Sequence, residues 1–396
     1  MLDLKDLKIQ NTVDLIKAMN ETLAFYGFVS IDNLVFPDDN PKDLTGKLKA
    51  NTDPGELSEI EKYMLSMVKK FAKDTKLLHK SSKAQFYTLP DLKKSSKSQY
   101  VEYGIHFFGE KDPFAEAFLV SMAAILLNKL FNKNILLEVN SIGDKDSAEK
   151  YLEDVRRFLK RNKKSLPADA LEALLDAKIN KSLGLLVNMG HELADAAPSL
   201  MDYLSDYAQK HLYLFLDYMD KIGINYYLNP HMLGNPKIRK HLMFNIYTQD
   251  DDEKRLIASG GRYDNAIDSL YQLDKSVVSL RFKIKRQGRK YKIQDTQSKP
   301  GDSCKFYFLQ IGVLAKSQAT KLLEEMIKSK IDVYHAVSEL SLLEQYALAK
   351  KKGAKYVIVL GHKEAIDSTV IVRNVATQNQ KIIAQSKLIS YLKKLK

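Results

Sequence analysis

Cysteine is almost missing from this chain: Cys304 stands alone among 396 residues. One thiol excludes an intrachain disulfide and any zinc site built on cysteines, and leaves Cys304 as a small buried hydrophobe by expectation. Long apolar runs are missing too. Nothing approaches the roughly 18 apolar residues of a membrane span, and the opening Met1-Leu2-Asp3-Leu4-Lys5-Asp6 has no apolar signal core. There is no Walker-type loop and no internal repeat. The eight histidines (His79, His106, His191, His211, His231, His241, His335 and His362) form no close i,i+4 pair and have no cysteines to join, so no metal site is expected. These absences point to a soluble cytoplasmic protein without a resident metal or cofactor and without a membrane partner.

What is present is globular: 45% apolar and 28% charged residues, over a length that supports two or three cores. Acidic residues are scarce in the last third. Residues 275–396 hold 25 lysines and arginines against 9 acids, an excess of 16, whereas residues 1–274 hold 37 against 40, a deficit of 3. A basic carboxyl third on a nearly neutral body fits a polyanion partner, nucleic acid first. A lysine-decorated solvated surface explains the same charge equally well.

Helical spacing marks residues 12–28 (Val13, Ile16, Met19, Leu23, Tyr26), 56–71 and 112–130, the last opening on Asp112-Pro113 and carrying Phe114, Phe118, Met122, Leu126 and Leu130 on one face. Strand patterns occupy Ile135-Leu136-Leu137-Glu138-Val139-Asn140 and residues 276–286, where Val278, Leu280, Phe282 and Ile284 alternate with polar residues. Residues 146–195 are helical, polar and lysine-rich. Residues 287–293 suggest a basic hairpin, and 296–303, with Pro300-Gly301, a linker. Beyond it runs a βαβαβ pattern: 306–313, helix 317–329, 331–335, helix 340–352, 356–360, then 370–375 and a closing helix from Gln385.

The most informative stretch is Leu256-Ile257-Ala258-Ser259-Gly260-Gly261-Arg262-Tyr263-Asp264. Paired glycines before an arginine suggest backbone passing close to something while a guanidinium reaches into a pocket. Gly260-Gly261 taken alone reads more readily as a plain turn between two strands. The full Gly260-Gly261-Arg262-Tyr263-Asp264 string resembles the signature of histidyl-tRNA synthetases and of their paralogue, the regulatory subunit of ATP phosphoribosyltransferase. Leu137-Glu138-Val139-Asn140-Ser141-Ile142-Gly143-Asp144 resembles a second string of that family, and Gln345-Tyr346-Ala347, Gly361-His362-Lys363-Glu364 and Ile371-Val372-Arg373-Asn374-Val375 resemble its anticodon-binding domain.

The resemblance implies an α+β fold: a class II synthetase-like antiparallel sheet flanked by helices over residues 1–290, with a helical insertion at about 146–195, plus a C-terminal α/β anticodon-binding-like domain over 304–396. It implies a homodimer through the class II core and a partner that is tRNA or other structured RNA. It makes Gly260, Gly261, Arg262, Tyr263 and Asp264 a vestigial ligand pocket, and Lys350, Lys351, Lys352, Lys355, Lys363, Glu364 and Arg373 the RNA contacts.

The catalytic motifs depart from the family. Where active enzymes carry an arginine-rich hairpin, residues 89–98 read Leu-Pro-Asp-Leu-Lys-Lys-Ser-Ser-Lys-Ser. Lysine is a point charge without the planar fork of arginine. Glu102 and His106 replace the glutamine and glutamate of the histidine pocket. Gly234-Asn235-Pro236-Lys237-Ile238-Arg239 replaces Arg-Gly-Leu-Asp-Tyr-Tyr. Ser279, Lys283 and Lys285 take the places of two glycines and a glutamate, and Arg286 alone matches a family arginine. The expectation is therefore a synthetase-like, RNA-binding paralogue without aminoacylation activity. The alternatives are a divergent active histidine–tRNA ligase, using ATP and Mg²⁺ and recruiting Arg239, Lys93 and Arg286, or a regulatory subunit of the ATP phosphoribosyltransferase type, a role disfavoured by the extra C-terminal domain.

Overall fold

The computed structural model describes residues 12–25, 28–30, 84–88, 100–131, 134–176, 178–232, 234–250, 253–271, 274–285, 305–311, 313–329, 331, 333–335, 342–351 and 353–395. Lys93, Arg286, Cys304 and Lys352 lie outside them, as do the expected helix at 56–71, the hairpin at 287–293 and the linker at 296–303.

Helix α1 (Thr12–Phe25) precedes β1 (Val29–Ser30), β2 (Ala84–Thr88) and β3 (Tyr100–Phe108). Helix α2 (Phe114–Phe131) leads to β4 (Ile135–Ser141) and a helical group, α3 (Lys145–Arg161), α4 (Ala168–Leu175), α5 (Ile179–Asn188) and α6 (Glu192–Asp195). Then come α7 (Asp206–Ile222), β5 (Asn225–Leu228), β6 (Leu242–Asp250), β7 (Glu253–Arg262), α8 (Asp264–Tyr271) and β8 (Val277–Lys285). The strands form one sheet in the order β1-β2-β3-β8-β7-β6-β4-β5, antiparallel except for the outer β1/β2 and β4/β5 pairs. This is the α+β architecture expected.

Strand side chains alternate between faces, so register assigns every residue to one side. The first face is apolar: Tyr103, Ile105 and Phe107 of β3, Leu280, Phe282 and Ile284 of β8, and Phe244 and Ile246 of β6 pack with residues of α1, α2 and α7. Helix α2 is apolar all round because the sheet covers one side while α7 and a helix from the C-terminal sheet cover others. The second face is polar. It carries Glu102 and His106 of β3, Ser279, Arg281 and Lys283 of β8, Asn245 and Tyr247 of β6, and Glu138 of β4. The helices from α3 to α6 build a separate small core around Tyr151, Val155, Leu159 and Leu183, and Met243 of β6 belongs to it.

The second sheet follows: β9 (Phe306–Gln310), α9 (Val313–Lys328), β10 (Val333–His335), α10 (Leu342–Lys351), β11 (Tyr356–Leu360), α11 (His362–Ile366), β12 (Thr369–Asn374), β13 (Gln380–Ala384) and α12 (Leu388–Lys394). Strand order is β10-β9-β11-β12-β13, parallel through β11 and antiparallel beyond. Two features escape the sequence pattern. Strand β13 is an exposed edge without apolar alternation, Gln380-Lys381-Ile382-Ile383-Ala384, and the closing helix starts at Leu388 after a tight turn of 3₁₀ helix rather than at Gln385. Both lack a buried stripe long enough to betray a period.

Candidate functional site

The Gly-Gly-Arg-Tyr-Asp segment ends β7 between β6 and β8. A Cβ at Gly260 would lie 2.5 Å from the Ser279 carbonyl oxygen and 2.6 Å from the Phe244 ring. One at Gly261, whose φ is +144°, would lie 2.5 Å from the Leu242 carbonyl oxygen. The glycines let three strands close at this point. What the backbone passes close to is its own sheet.

Arg262 then turns into the interior, 1% exposed. Its Nε donates to Glu116 Oε1 at 2.7 Å and its Nη2 to Glu116 Oε2 at 2.6 Å, a two-pronged pair with the first turn of α2. Nη1 donates to the Glu110 carbonyl and Ser276 Oγ, and Nη2 also to the Asp112 carbonyl, so all five N–H groups are engaged. Burial alone would raise the Glu116 carboxyl; Arg262 and His211 outweigh it and hold the group at about 2. Burial pushes the neighbouring Asp264 carboxyl up despite Arg262, and its oxygens accept from Ser276 Oγ and the Val277 amide. The signature thus ties β7, β8, α2 and α8 together. His211 Nε2 meets Glu116 Oε1 at 2.9 Å, and its ring stacks on His241 at 4.7 Å, which burial holds neutral down to about 3.

Tyr263 faces Arg239. The guanidinium lies 4.8 Å from the ring centroid and donates from Nη1 to the Gly260 carbonyl at 3.1 Å. It is 7% exposed. Gly234 and Gly261 make room for it, since a Cβ at Gly234 would lie 2.6 Å from Arg239 Cδ and one at Gly261 would lie 3.1 Å from Nη1.

Across the polar face other cations are held in the same way. Arg281 Nη1 donates to Glu102 Oε1 at 2.8 Å, and Lys283 lies 5.1 Å from the Tyr100 ring. His106 Nδ1 meets Ser279 Oγ at 2.8 Å, with Thr88 Oγ1 at 3.5 Å from Nε2, so it is a hydrogen-bonded structural histidine. Glu138 accepts four bonds from neutral donors: Tyr227 and Asn229 on one oxygen, Asn245 and Tyr247 on the other. Burial would raise this carboxyl; the four donors win and lower it. Lys254 sits 4.1 Å from both tyrosine rings and bonds the Tyr227 hydroxyl. Sequence reasoning missed Arg281, Glu116 and the Glu138 cluster. Their partners are far away along the chain, and the string that contains Glu138 does not reveal its donors.

On the C-terminal sheet the expected RNA contacts divide. Lys350 lies 5.2 Å from the Tyr346 ring and Lys355 5.8 Å from that of Tyr356; Arg373 Nε donates to Gln380 Oε1 at 3.0 Å. These sit near the start of β11 and the β12–β13 turn, where Tyr346 also bonds Gln378. Lys363 and Glu364 belong to α11 at the far end of β11, five residues or about 17 Å away. Glu364 Oε2 accepts from the Gly361 amide at 3.1 Å, capping α11. The side chains of Lys351 and Lys352 lie outside the described residues. Gln345 is buried and clamps the Gln310 backbone through its amide, tying α10 to β9. Among the described residues no group of three or more His, Cys, Asp or Glu could hold a metal, and no helix is long and apolar enough to cross a membrane.

Residues 308–395 match the family described as the anticodon binding domain. Over most of its length the chain is similar to the histidine–tRNA ligase of Picosynechococcus sp., 28% identical over 301 residues that cover 74% of this chain and 68% of the relative. The chloroplastic histidine–tRNA ligase of Gracilaria tenuistipitata var. liui is 27% identical over 304 residues, covering 75% and 70%. The chain is histidyl-tRNA synthetase-like. The solved apo histidyl-tRNA synthetase of S. aureus aligns over 99% of both chains at 17% identity with a TM-score of 0.49. In this synthetase-like chain the family's paired-glycine signature is a structural junction, and the polar sheet face beside it is lined by cations bound to the chain's own groups.

Proposed function

We propose that this histidyl-tRNA synthetase-like protein binds tRNA or another structured RNA and does not form an aminoacyl adenylate. Residues 1–290 make its class II core and dimer interface, and residues 304–396 its RNA-binding module, in the cytoplasm. Adenylate formation develops negative charge at a phosphate and needs donors already aimed at it, each worth roughly 10²–10³ in rate. The observation that carries the reading is the disposition of cations on the polar face. Arg239 lies on Tyr263, Arg281 on Glu102, Lys283 on Tyr100 and Lys254 between Tyr227 and Tyr247. A guanidinium spent on a carboxylate or a ring of its own chain leaves its charge screened and its direction fixed. The basic C-terminal third, with its excess of 16 positive charges, and the matched anticodon-binding family support the RNA half of the reading.

Two measurements on the purified protein test it. Histidine-dependent exchange of pyrophosphate into ATP is expected to stay at background, while a tRNA gel shift is seen that weakens steeply as salt rises. Exchange well above background would overturn the inactive half; absence of any salt-sensitive shift would overturn the RNA half.

A further inference from the structure

The segment at residues 234–240 brings its own ligand to the sheet. Arg239 Nη1 bonds the Gly260 carbonyl at 3.1 Å, its guanidinium lies 4.8 Å from the Tyr263 centroid, and its stem passes Gly234. The space it fills exists because Gly234 and Gly261 have no side chains. An aromatic face, a backbone acceptor and a glycine-walled slot form a site for a planar cation with N–H donors.

The segment is strapped down from helix α8. Asn265 Nδ2 donates to the Pro236 and Arg239 carbonyls, both at 2.8 Å, and Ser269 Oγ donates to the Lys237 carbonyl at 3.2 Å. The Ala266 amide donates to the Ile238 carbonyl at 3.1 Å. Helix α8 follows Tyr263 directly, so the platform and the strap belong to one short stretch of chain.

We propose that this is a guanidinium-binding site closed by an internal ligand: Arg239 occupies it, residues 234–240 act as the lid, and Asn265 is the latch. Its external ligand class is the alkylguanidinium, as presented by free arginine derivatives or an arginine side chain of a partner. Binding here is separate from adenylate formation and from RNA binding, so its test does not depend on either.

Ethylguanidinium is the fragment removed by Arg239→Ala and serves as the probe, with propylammonium as a cation of similar charge but no plane. The expected result is saturable, one-to-one calorimetric binding of ethylguanidinium to Arg239→Ala, roughly tenfold or more tighter than to the unaltered protein, with partial recovery of melting temperature. Propylammonium gives neither. Adding Tyr263→Leu abolishes the binding. No saturable binding by a folded Arg239→Ala, or equal binding with Tyr263 replaced, overturns the site. Asn265→Ala keeps Arg239 and tests the latch where the first variant does not fold: ethylguanidinium is expected to bind it severalfold tighter than it binds the unaltered protein, and equal binding by the two overturns the lid.

Discussion

Asp144 and Ser205 cap two helices and each other. Asp144 Oδ1 accepts from the Ser147 amide at 2.9 Å to start α3, and Ser205 Oγ accepts from the Ala208 amide at 3.3 Å to start α7. Ser205 Oγ donates to Asp144 Oδ2 at 2.6 Å, closing the link between helices that are 61 residues apart at their caps. Burial would raise the Asp144 carboxyl, but these bonds lower it. Asp144→Ala removes one cap outright and frees the hydroxyl of the other. A loss of about 1–2 kcal/mol is expected in urea unfolding, with Asp144→Asn losing well under half of that because it retains an acceptor. Equal losses for the two variants would show that capping is not what Asp144 contributes.

The Arg262–Glu116 pair makes a stronger demand. Both side chains are essentially unexposed, and breaking such a pair from one side leaves a bare charge in the interior. Glu116→Ala or Arg262→Ala is expected to cost roughly 3–5 kcal/mol, enough to unfold a marginal protein. Replacing both by apolar residues of similar volume is expected to cost much less than the two singles added together. A double variant as unstable as the sum, measured in a double-mutant cycle, would mean the pair is not one unit.

Acid gives the same pair a distinct signature. The Glu116 carboxyl titrates at about 2 when folded against an ordinary 4.5, so its stabilisation is complete above 4.5 and is lost as pH falls towards 2. His241 acts over a higher window. Burial, with His211, Arg262 and Lys240 nearby, lowers it from 6.5 to about 3, while Glu116 pulls the other way. The unfolded chain takes up that proton first, so stability falls as pH drops from 6.5 towards 3. His241 has φ +54°, a conformation asparagine tolerates. His241→Asn is therefore expected to flatten the stability–pH curve between 6.5 and 4.5 and leave the steeper acid limb in place. An unchanged slope in that window, followed by melting across a pH series, would remove His241 from the account.

How much of this was legible in the sequence follows from chain separation. The alternation of Val278, Leu280, Phe282 and Ile284 located β8, and the apolar spacing of Phe114, Phe118, Met122 and Leu126 located α2, because each pattern repeats within a few residues. The paired glycines signalled a close backbone approach, and the folded chain shows that what they approach is the neighbouring strands. What Arg262 reaches was not legible: Glu116 lies 146 positions away, and in the sequence it is one acid in an apolar helix. Glu138 was visible only as part of a string, since its four donors come from 89 to 109 positions downstream. Arg239 read as displaced from a family position, and only the folded chain shows that two glycines leave it a slot.

Glu138 allows a test of how much four neutral donors are worth. Glu138→Gln keeps the shape but turns one oxygen into an amide NH2, which donates where the carboxylate accepted and so opposes the asparagine NH2 on its side. The bond to the asparagine amide on that side is lost, Asn229 or Asn245, while the tyrosine hydroxyl beside it can turn to accept from the new N–H, so one donor at a half-buried site loses its acceptor. The expected cost is about 1–3 kcal/mol, and the Lys254 ammonium loses the negative charge behind its two rings. Lys254→Met in the same background should then cost less than it does alone. Full additivity of the two changes, read from chemical denaturation, would detach Lys254 from the cluster.

The division of cations on the C-terminal sheet predicts which of them RNA feels. Lys350, Lys355 and Arg373 gather where Tyr346, Tyr356 and the amides of Gln378 and Gln380 also lie, so charge, ring faces and amides meet at one end. Lys363 stands at the other end beside the capping Glu364, whose charge opposes a phosphate. Removing a cation that pairs with a phosphate lowers the salt slope of binding by about one and weakens all sequences alike. Lys350→Ala and Lys355→Ala are each expected to do so in tRNA titrations over a range of salt. Lys363→Ala is expected to leave the slope unchanged. The reverse pattern would move the RNA to the α11 end, because a counterion released from one end of the sheet cannot report a phosphate held about 17 Å away at the other.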